Sequence, residues 1–565
     1  MNSVSGKYWE EIQVEKRLID KAKIDLNLND IQSKLIISRN FTKDEIFLIK
    51  NNTKFNNPFI KDKDFLLACE LIKESLQRNN KIMVIGDYDV DGCVSTSLMV
   101  NFLKANHAKV DYFIPDRFKD GYGMSKKLIM KLISQKKPQL IIFLDVGSNS
   151  HDAIDYAKNL KIKTLIIDHH NVNSPYPLAN VFLNPKKDLN NEFNYLCTSY
   201  LTYLFIDLFL KTNNSKISLE ENLIYVLLAT VADVMPLRGL NLYLAKKTLK
   251  NFDLNNNFIL KYLFKTFKFK RNIEIEDLSF LIAPIFNSAG RLENANQIVD
   301  LLTTNSHKQI IKILKKIIIL NNKRKLIEKR SLNELNFKQI ENQNGVLFIY
   351  DPNISEGIIG IIASKIKDQF NKPCIVFTKS KNVLKGSARS TPEFDIGKYI
   401  NLAVKKKIIN NGGGHNLAAG VSLYKSKTEI FKKFLNNFYL KNKSICRNFF
   451  ISKISLSSIN KNLLENINLL GPFGNLNSNP IFLIENIKIH NPVLIKNNFI
   501  SCYIKSTNKT VKAISFNSIN SKISLKIMSF KKPVNILVRV KENKWNNKSS
   551  IQLELIDIIE TTINT

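Results

Sequence analysis

Four short apolar runs, Lys81 to Ile85, Val110 to Ile114, Leu140 to Leu144 and Thr164 to Ile167, punctuate the chain between about residues 60 and 240. Amphipathic segments such as Ser95 to Ala105 and His151 to Leu160 lie between them. Runs this short and this apolar suit strands buried on both faces, and the period of the intervening segments suits helices. The alternation predicts a doubly wound α/β domain around a parallel sheet. Acidic residues follow three of the runs. Gly86-Asp87-Tyr88-Asp89-Val90-Asp91-Gly92 comes after the first, Asp145 after the third, and Asp168-His169-His170 after the fourth. A further aspartate, Asp233, follows the apolar run Leu223 to Val231.

In an open parallel sheet, ligands bind beyond the carboxyl ends of the strands. Carboxylates gathered there repel one another unless a cation compensates them. Mixed Asp and His ligands without Cys suit Mn²⁺ or Mg²⁺ better than a structural zinc. Each aspartate taken alone could equally be a helix N-cap. Asp87-x-Asp89-x-Asp91-Gly92 also imitates the start of a calcium loop, but the twelfth position, where that loop needs Glu, is Leu98. The His169-His170 pair could be surface histidines; its place after an apolar strand and an aspartate, in a chain of seven histidines, favours function.

Beyond this region, residues 306 to 340 read as a long Lys-rich helix, with Lys308 to Leu320 and Asn322 to Leu332 as its periodic stretches, solvated and connecting two domains. A second α/β block runs from about Gly345 to Leu440 and includes the Gly-rich stretch Gly412 to Gly420. From about Cys446 the chain has period-two runs, Phe499 to Ile504, Val511 to Phe516 and Val534 to Val540, which predict a small β-barrel of the OB type. In that barrel Tyr503, Phe516 and Trp545 are read as core residues, with base stacking as the alternative.

Length and an apolar share of 44% give several domains a buried core. The net charge of +35 suits a polyanionic partner, although a general leaning to Lys, Asn and Ile would supply many of the same lysines. Six scattered cysteines form no C-x-x-C pair, which argues against zinc fingers and structural disulfides. Met1 to Lys23 lacks the apolar core of a signal peptide, and no stretch nears the roughly 20 apolar residues of a membrane span. A cytoplasmic protein is expected.

Asp87-Tyr88-Asp89-Val90-Asp91-Gly92, Asp145 with Gly147, Asp168-His169-His170 and Ala232-Asp233-Val234-Met235-Pro236-Leu237 resemble, in order and spacing, the motifs of the DHH phosphoesterases. Further segments are similar to the RecJ exonucleases within that superfamily. They are Arg117 with Asp120-Gly121-Tyr122-Gly123, Asn287-Ser288-Ala289-Gly290-Arg291-Leu292, Glu356-Gly357-Ile358-Ile359-Gly360, Gly386-Ser387-Ala388-Arg389-Ser390, and Gly413-Gly414-His415 through Ala418-Ala419-Gly420. The likeness covers about residues 55 to 425 and continues more weakly through Gly471-Pro472-Phe473-Gly474.

The resemblance implies an N-terminal segment 1–55, a DHH catalytic domain 56–303, a connecting helix 304–342, a DHHA1-like domain 343–442 and an OB-fold 443–565. It implies that Asp87, Asp89, Asp145, His169 and Asp233 coordinate two divalent ions, Mn²⁺ or Mg²⁺, with Asp145 the bridge. His170 would lie beside the scissile phosphate, with Asp168 and Asp91 orienting ligands or capping a helix. Arg117, Arg291, Ser387, Arg389, Ser390, Gly413, Gly414 and His415 would bind substrate phosphate. The implied activity is 5′-to-3′ hydrolysis of single-stranded DNA in recombination and repair. A monomer is expected, with a single-strand-binding protein and a helicase as candidate partners and no membrane.

The sequence departs from the family pattern at three positions. Ile85 stands where many DHH enzymes have histidine, Val146 replaces a small polar residue, and Ser355 replaces a histidine before Glu356-Gly357. Three rival readings remain: a phosphodiesterase for very short oligonucleotides or cyclic dinucleotides, a metal-free nucleic-acid-binding scaffold, and a small-molecule pyrophosphatase.

Overall fold

The computed structural model describes residues 1–559 except 51–55, 122, 189, 216, 381, 442–446, 496–498, 517–520, 530–531 and 546–547. Tyr122, Cys446 and the side chain of Trp545 thus lie outside the described residues. The chain divides into two compact units. One comprises Phe59–Ile217 and Phe280–Ser444; the other comprises Met1–Pro58, Ser218–Ser279 and Ile445–Thr565.

The first unit begins with the expected alternation. Its elements are β1 (Lys81–Ile85), α1 (Val90–Ala105), β2 (Lys109–Phe113), α2 (Lys126–Lys136), β3 (Leu140–Leu144), α3 (His151–Asn159), β4 (Lys163–Ile167), β5 (Val181–Leu183) and α4 (Thr198–Thr212). The strands form one parallel sheet in the order β2-β1-β3-β4-β5. Met83, Ile85, Ile141, Phe143 and Ile166 face α2 and α3 in one core, while α1 packs with α4 and touches β1 and β3. With helices on both sides, no strand residue of β3 can be polar, which is why Leu140–Leu144 is apolar throughout and fully buried. The strand order reverses between β1 and β3, so their following loops diverge and leave a crevice at the carboxyl edge.

In the second block of this unit, a five-stranded sheet runs in the order Asn411–His415, Ala418–Leu423, Val383–Arg389, Cys374–Ser380, Leu347–Tyr350. It is antiparallel except for the last pair. The Gly-rich stretch is therefore a hairpin rather than a loop. At Gly414 a Cβ would come 2.3 Å from Ala418 O, so glycine is what allows the two strands to close there.

The long helix is continuous over His307–Glu334, and one face of it is buried where a solvated helix was expected. Ile310, Leu314, Ile317 and Leu320 form a buried stripe at helical spacing, extended by Arg324, which bonds Asn321 and Glu328. The high lysine content of its outer face conceals this stripe in the sequence.

In the other unit, Phe482–Ile495, Phe499–Lys505, Thr510–Ser515, Lys548–Ile559 and Val534–Trp545 pair in turn, and the last strand pairs back with the first, closing a five-stranded barrel. Closure removes the exposed strand edges. Tyr503 and Phe516 are 43% and 60% exposed, so neither is a core residue as expected from the sequence. Tyr503 lies on an outward-facing position of its strand and Phe516 directly follows the next strand; alternate residues of these two strands, Ile500, Cys502, Ile504, Val511 and Ala513, fill the barrel. The N-terminal strand Tyr8–Glu11 pairs in parallel with Arg447–Phe450. Trp9 Nε1 and Ser3 Oγ donate to the buried Asp557 Oδ2 at 3.0 and 2.7 Å. Among the described residues no helix is long and apolar enough to cross a membrane.

Candidate metal centre

The crevice between β1 and β3 gathers the strand-end residues. Donor atoms of Asp87, Asp89 and Asp145 lie within 4.8 Å of one another, and so do those of Asp145, His169 and His170. Asp145 belongs to both groups because it leaves β3 with φ +61°, a left-handed conformation that aspartate tolerates better than most residues. Gly92 permits the tight turn from β1 into α1, since a Cβ there would meet Asp87 N and O at 2.5 and 2.4 Å.

Asp89 is an N-cap as well as a member of the cluster, its Oδ1 accepting from Gly92 N at 3.0 Å. Asp91 caps a different helix. Its carboxylate accepts from Thr198 N and Ser199 N, both at 2.8 Å, at the start of α4, whose own N-cap Cys197 makes no side-chain cap bond. Asp168 Oδ1 accepts from His169 N at 2.7 Å and His170 N at 3.1 Å and pairs with His170 Nδ1 at 2.8 Å. Its Oδ2 accepts from Ser148 N at 3.0 Å. The bond to Nδ1 fixes the orientation of the His170 ring.

Electrostatics strains this arrangement. Burial and the neighbouring Asp89 push Asp87 up to about 7 and Asp91 up to about 6. Burial, with Asp91, Asp89, Asp87 and Asp168 adding to it, holds Asp145 well above the carboxylate range. Asp168 goes the other way: burial would raise it, but the His170 charge and the hydrogen bonds it accepts hold it low. Burial and His170 keep His169 neutral, the form that ligates a cation. Asp87 Oδ1 is buried without a hydrogen-bond partner among the described residues. A buried acceptor with no donor, beside two further carboxylates, fits a divalent cation bound by oxygen and imidazole. Asp233 lies in the other unit, directly after the helix Leu223–Ala232.

The predicted phosphate residues of the first unit form a basic group. Burial, then Arg117, Arg324 and Arg389, lower Arg291 to about 9, so it stays protonated at neutral pH. Arg389 is lowered by burial and by Arg117. Arg117 stacks 4.2 Å over the Tyr88 ring, with its Nε buried and unpartnered among the described residues. Arg389 Nη1 donates to Ser387 Oγ at 3.0 Å, and Arg291 Nη1 to Gly357 O at 3.0 Å. Guanidiniums held close without mutual compensation make a site for an anion. The hairpin presents Gly413, Gly414 and His415, whose Nδ1 bonds Asn171 Nδ2 at 3.0 Å, tying it to the loop after His170. Ser390 is buried and its hydroxyl donates to Phe394 O at 2.5 Å, so that proton is used locally.

The departures have local explanations. Ile85 and Val146 are both buried members of the core cluster under α2 and α3. Ser355 precedes Glu356, which pairs with Lys385 at 2.7 Å. Sequence reasoning missed Thr198, whose Oγ1 donates to Asp145 Oδ1 at 3.1 Å, and Asn184, whose Nδ2 donates to Ser148 Oγ and His170 O, both at 2.9 Å. Their residue types are ordinary, and Thr198 lies 53 residues from its partner, so no local pattern marks them.

Comparison with known proteins matches residues 81–231 to the DHH family N-terminal domain, 343–441 to the DHHA1 domain and 452–557 to the RecJ OB domain. The single-stranded-DNA-specific exonuclease RecJ of Bacillus subtilis is 27% identical over 97% of this chain and 70% of its own length. That of Haemophilus influenzae is 30% identical over 65% of this chain and 68% of its own. The structure of RecJ from Thermus thermophilus in complex with Mn²⁺ superposes with a TM-score of 0.82 at 20% identity, covering 98% of this chain and 80% of that one. A structure of the same relative with Mg²⁺ gives 0.74. With all three domains in family order and identity sustained over two thirds of a relative's length, the chain belongs to the RecJ family of DHH phosphoesterases.

Proposed function

We propose that this protein is a single-strand-specific DNA exonuclease that hydrolyses phosphodiester bonds with two divalent cations, Mn²⁺ or Mg²⁺. The buried, unpartnered Asp87 Oδ1 carries the reading, because it sits among carboxylates whose ionisation burial and mutual repulsion oppose. Asp87, Asp89, Asp145 and His169 would hold the cations, with Asp145 as the bridge and Asp233 as the fifth ligand by its motif. Bound there, the cations supply Lewis-acid charge that makes water a nucleophile near neutral pH and offsets charge on the phosphate.

The remaining chemistry falls to the chain's own side chains. Asp168 fixes the ring of His170 beside the scissile phosphate, and Asp91 fixes the start of α4, from which Thr198 holds Asp145. Arg117, Arg291 and Arg389, with Ser387, Ser390, Gly413, Gly414 and His415, bind substrate phosphate. The exposed Tyr503, opposite Lys512 across the barrel strands, and the exposed Phe516 beside Phe499 suit base stacking along a basic surface. We assign catalysis to residues 56–303, phosphate binding to 343–442 and strand binding to 443–565, with 304–342 as the helix that joins the first two.

The family likeness supports 5′-to-3′ polarity, a part in recombination and repair, a cytoplasmic monomer, and a single-strand-binding protein and a helicase as partners. The test is degradation of long single-stranded DNA labelled separately at each end, with Mn²⁺ or Mg²⁺, against duplex DNA and a dinucleotide. Release of the 5′ label first, from single strands alone and only with metal, is expected. Cleavage of the dinucleotide without the long strand would overturn the reading, as would binding without cleavage.

A further inference from the structure

The loop that follows β4 is held at two successive peptide oxygens. Asn184, after β5, donates to His170 O at 2.9 Å, and Asn149, after β3, donates to Asn171 O at 3.3 Å. Both of these asparagines direct their amides at backbone. Asn171 does otherwise: its side-chain Nδ2 meets Nδ1 of His415, 244 residues on, at 3.0 Å. The hairpin tip that carries His415 is fixed in its turn. Ile396 N donates to Asn416 O at 3.1 Å and Ser390 N to Leu417 O at 2.8 Å. A Cβ at Gly397 would come 2.7 Å from His415 O, so the helix Ile396–Lys405 lies against the tip. All of these residues belong to one compact unit.

An imidazole nitrogen donates or accepts according to where the ring proton sits, whereas the nitrogen of a carboxamide has only N–H to offer. A neutral ring whose Nδ1 accepts from Asn171 therefore carries its proton on Nε2. The difference decides how the ring meets an anion. Phosphate oxygens accept hydrogen bonds, so an Nε2–H attracts them and a bare Nε2 lone pair repels them. His415 and Asn171 are both exposed, and a bond between exposed groups adds little to the stability of the fold. What this bond fixes is the place of one proton on one ring.

We propose that Asn171 is a positioning residue for the substrate: by donating to His415 Nδ1 it holds that ring with its proton on Nε2, so that the hairpin presents a phosphate of the strand with an N–H donor. The inference rests on the reading of His415 as a phosphate ligand.

The test compares the full-length wild type with Asn171→Ala, His415→Gln, His415→Ala and the Asn171→Ala/His415→Gln double variant, on single-stranded DNA with Mn²⁺. Asn171→Ala should raise KM about three- to tenfold, the range of one hydrogen bond, with kcat within about twofold and the thermal midpoint unchanged. An amide keeps its N–H whatever its partners, so His415→Gln should keep KM well below that of His415→Ala. In the Gln background, removing the Asn171 amide should cost little more. The second readout is the nitrogen magnetic-resonance spectrum of protein with isotope-labelled histidine near pH 8, where an ordinary imidazole is neutral. His415 is the pair of signals absent from His415→Gln. Wild type should show an unprotonated Nδ1 and a protonated Nε2, and Asn171→Ala should move both towards a mixture of tautomers; a merely mechanical tether would leave the proton where it is. A wild-type ring protonated on Nδ1, a spectrum unmoved by Asn171→Ala, or the KM of wild type in that variant would overturn the proposal. His415→Ala with the KM of wild type would instead refute the phosphate role of His415, and the proposal with it, whatever the spectra show.

Discussion

Replacing Asp145 by Asn should make the metal-free protein more stable and the metal-loaded protein inactive. Asn is the informative substitution, since Asp145 has φ +61° and Ala would add backbone strain of its own. Its carboxylate lies within 4.8 Å of donor atoms of Asp87 and Asp89. At that separation each fully charged pair costs about 3.5 kcal/mol at an effective dielectric near 20. Asp87 titrates at about 7, so near pH 8 it is ionised and the repulsion is present. A carboxyl whose folded pKa lies above its unfolded value stabilises the fold at low pH and loses that contribution as the pH rises through the folded value. Asp145 is itself held well above the carboxylate range, so in chelator at pH 8 the fold either protonates it or bears that repulsion, and removing the carboxyl should gain about 3 kcal/mol, seen as roughly 6 °C in the melting midpoint of a unit this large. Near pH 5 the gain should shrink, because Asp87 is then protonated. Adding Mn²⁺ at a thousand times its dissociation constant should stabilise the wild type by about 4.1 kcal/mol and the variant hardly at all. The order of the two melting points should therefore reverse on adding metal. A variant less stable than wild type in chelator at pH 8, or one that gains as much from Mn²⁺, would refute the reasoning.

Asp168→Ala removes the acceptor of four hydrogen bonds and should destabilise the fold by about 3 kcal/mol or more in denaturant titrations and lower kcat by about 10² to 10⁴. Because Asp168 is held low, its contribution should be full above about pH 4 and fade only in stronger acid. Arg389→Ala should raise KM about tenfold or more with little change in kcat, and Arg389→Lys should not rescue it, since an ammonium cannot reproduce the planar fork; unchanged kinetics would remove Arg389 from the phosphate site. Lys246 donates to Ile49 O and Leu469 O at 3.2 and 2.6 Å, and burial lowers it to about 8. Its unfolded value is higher, so between pH 8 and 10.5 the wild type should gain about 1 to 2 kcal/mol over Lys246→Met, a figure reduced for partial exposure. A difference in denaturation midpoint that is flat over that range would contradict it.

The sheet and its strand-end carboxylates were legible because one physical demand fixes both. A parallel strand covered on two faces must be apolar throughout, as Leu140–Leu144 is, so its polar chemistry can begin only where the strand stops. Asp145 and Asp168 stand at those points. The support around them was not legible. Asp91 caps a helix that starts more than a hundred residues later, and Asn184 reaches His170 from beyond β5, contacts that only the folded topology creates. The buried stripe of His307–Glu334 is hidden by the lysines around it, and the outward placement of Tyr503 and Phe516 is hidden because aromatic residues in an alternating run fit either face of a barrel strand. Asp233 was readable as a motif, but nothing in its neighbourhood told that it follows a helix whose segment groups with the barrel.

The pairing of Tyr8–Glu11 with Arg447–Phe450, and of Ser3 and Trp9 with Asp557, sets a timetable for synthesis. Residues 3 to 11 leave the ribosome long before their partners at 447–450 and 557, and the stretch Ser218–Ser279 joins them only in the finished unit. Residues 59–217 can close their parallel sheet while translation continues, whereas Trp9 waits for a carboxylate made 548 residues later. Nascent chains arrested before Arg447 should therefore carry a folded sheet and a Tyr8–Glu11 strand still without its partner.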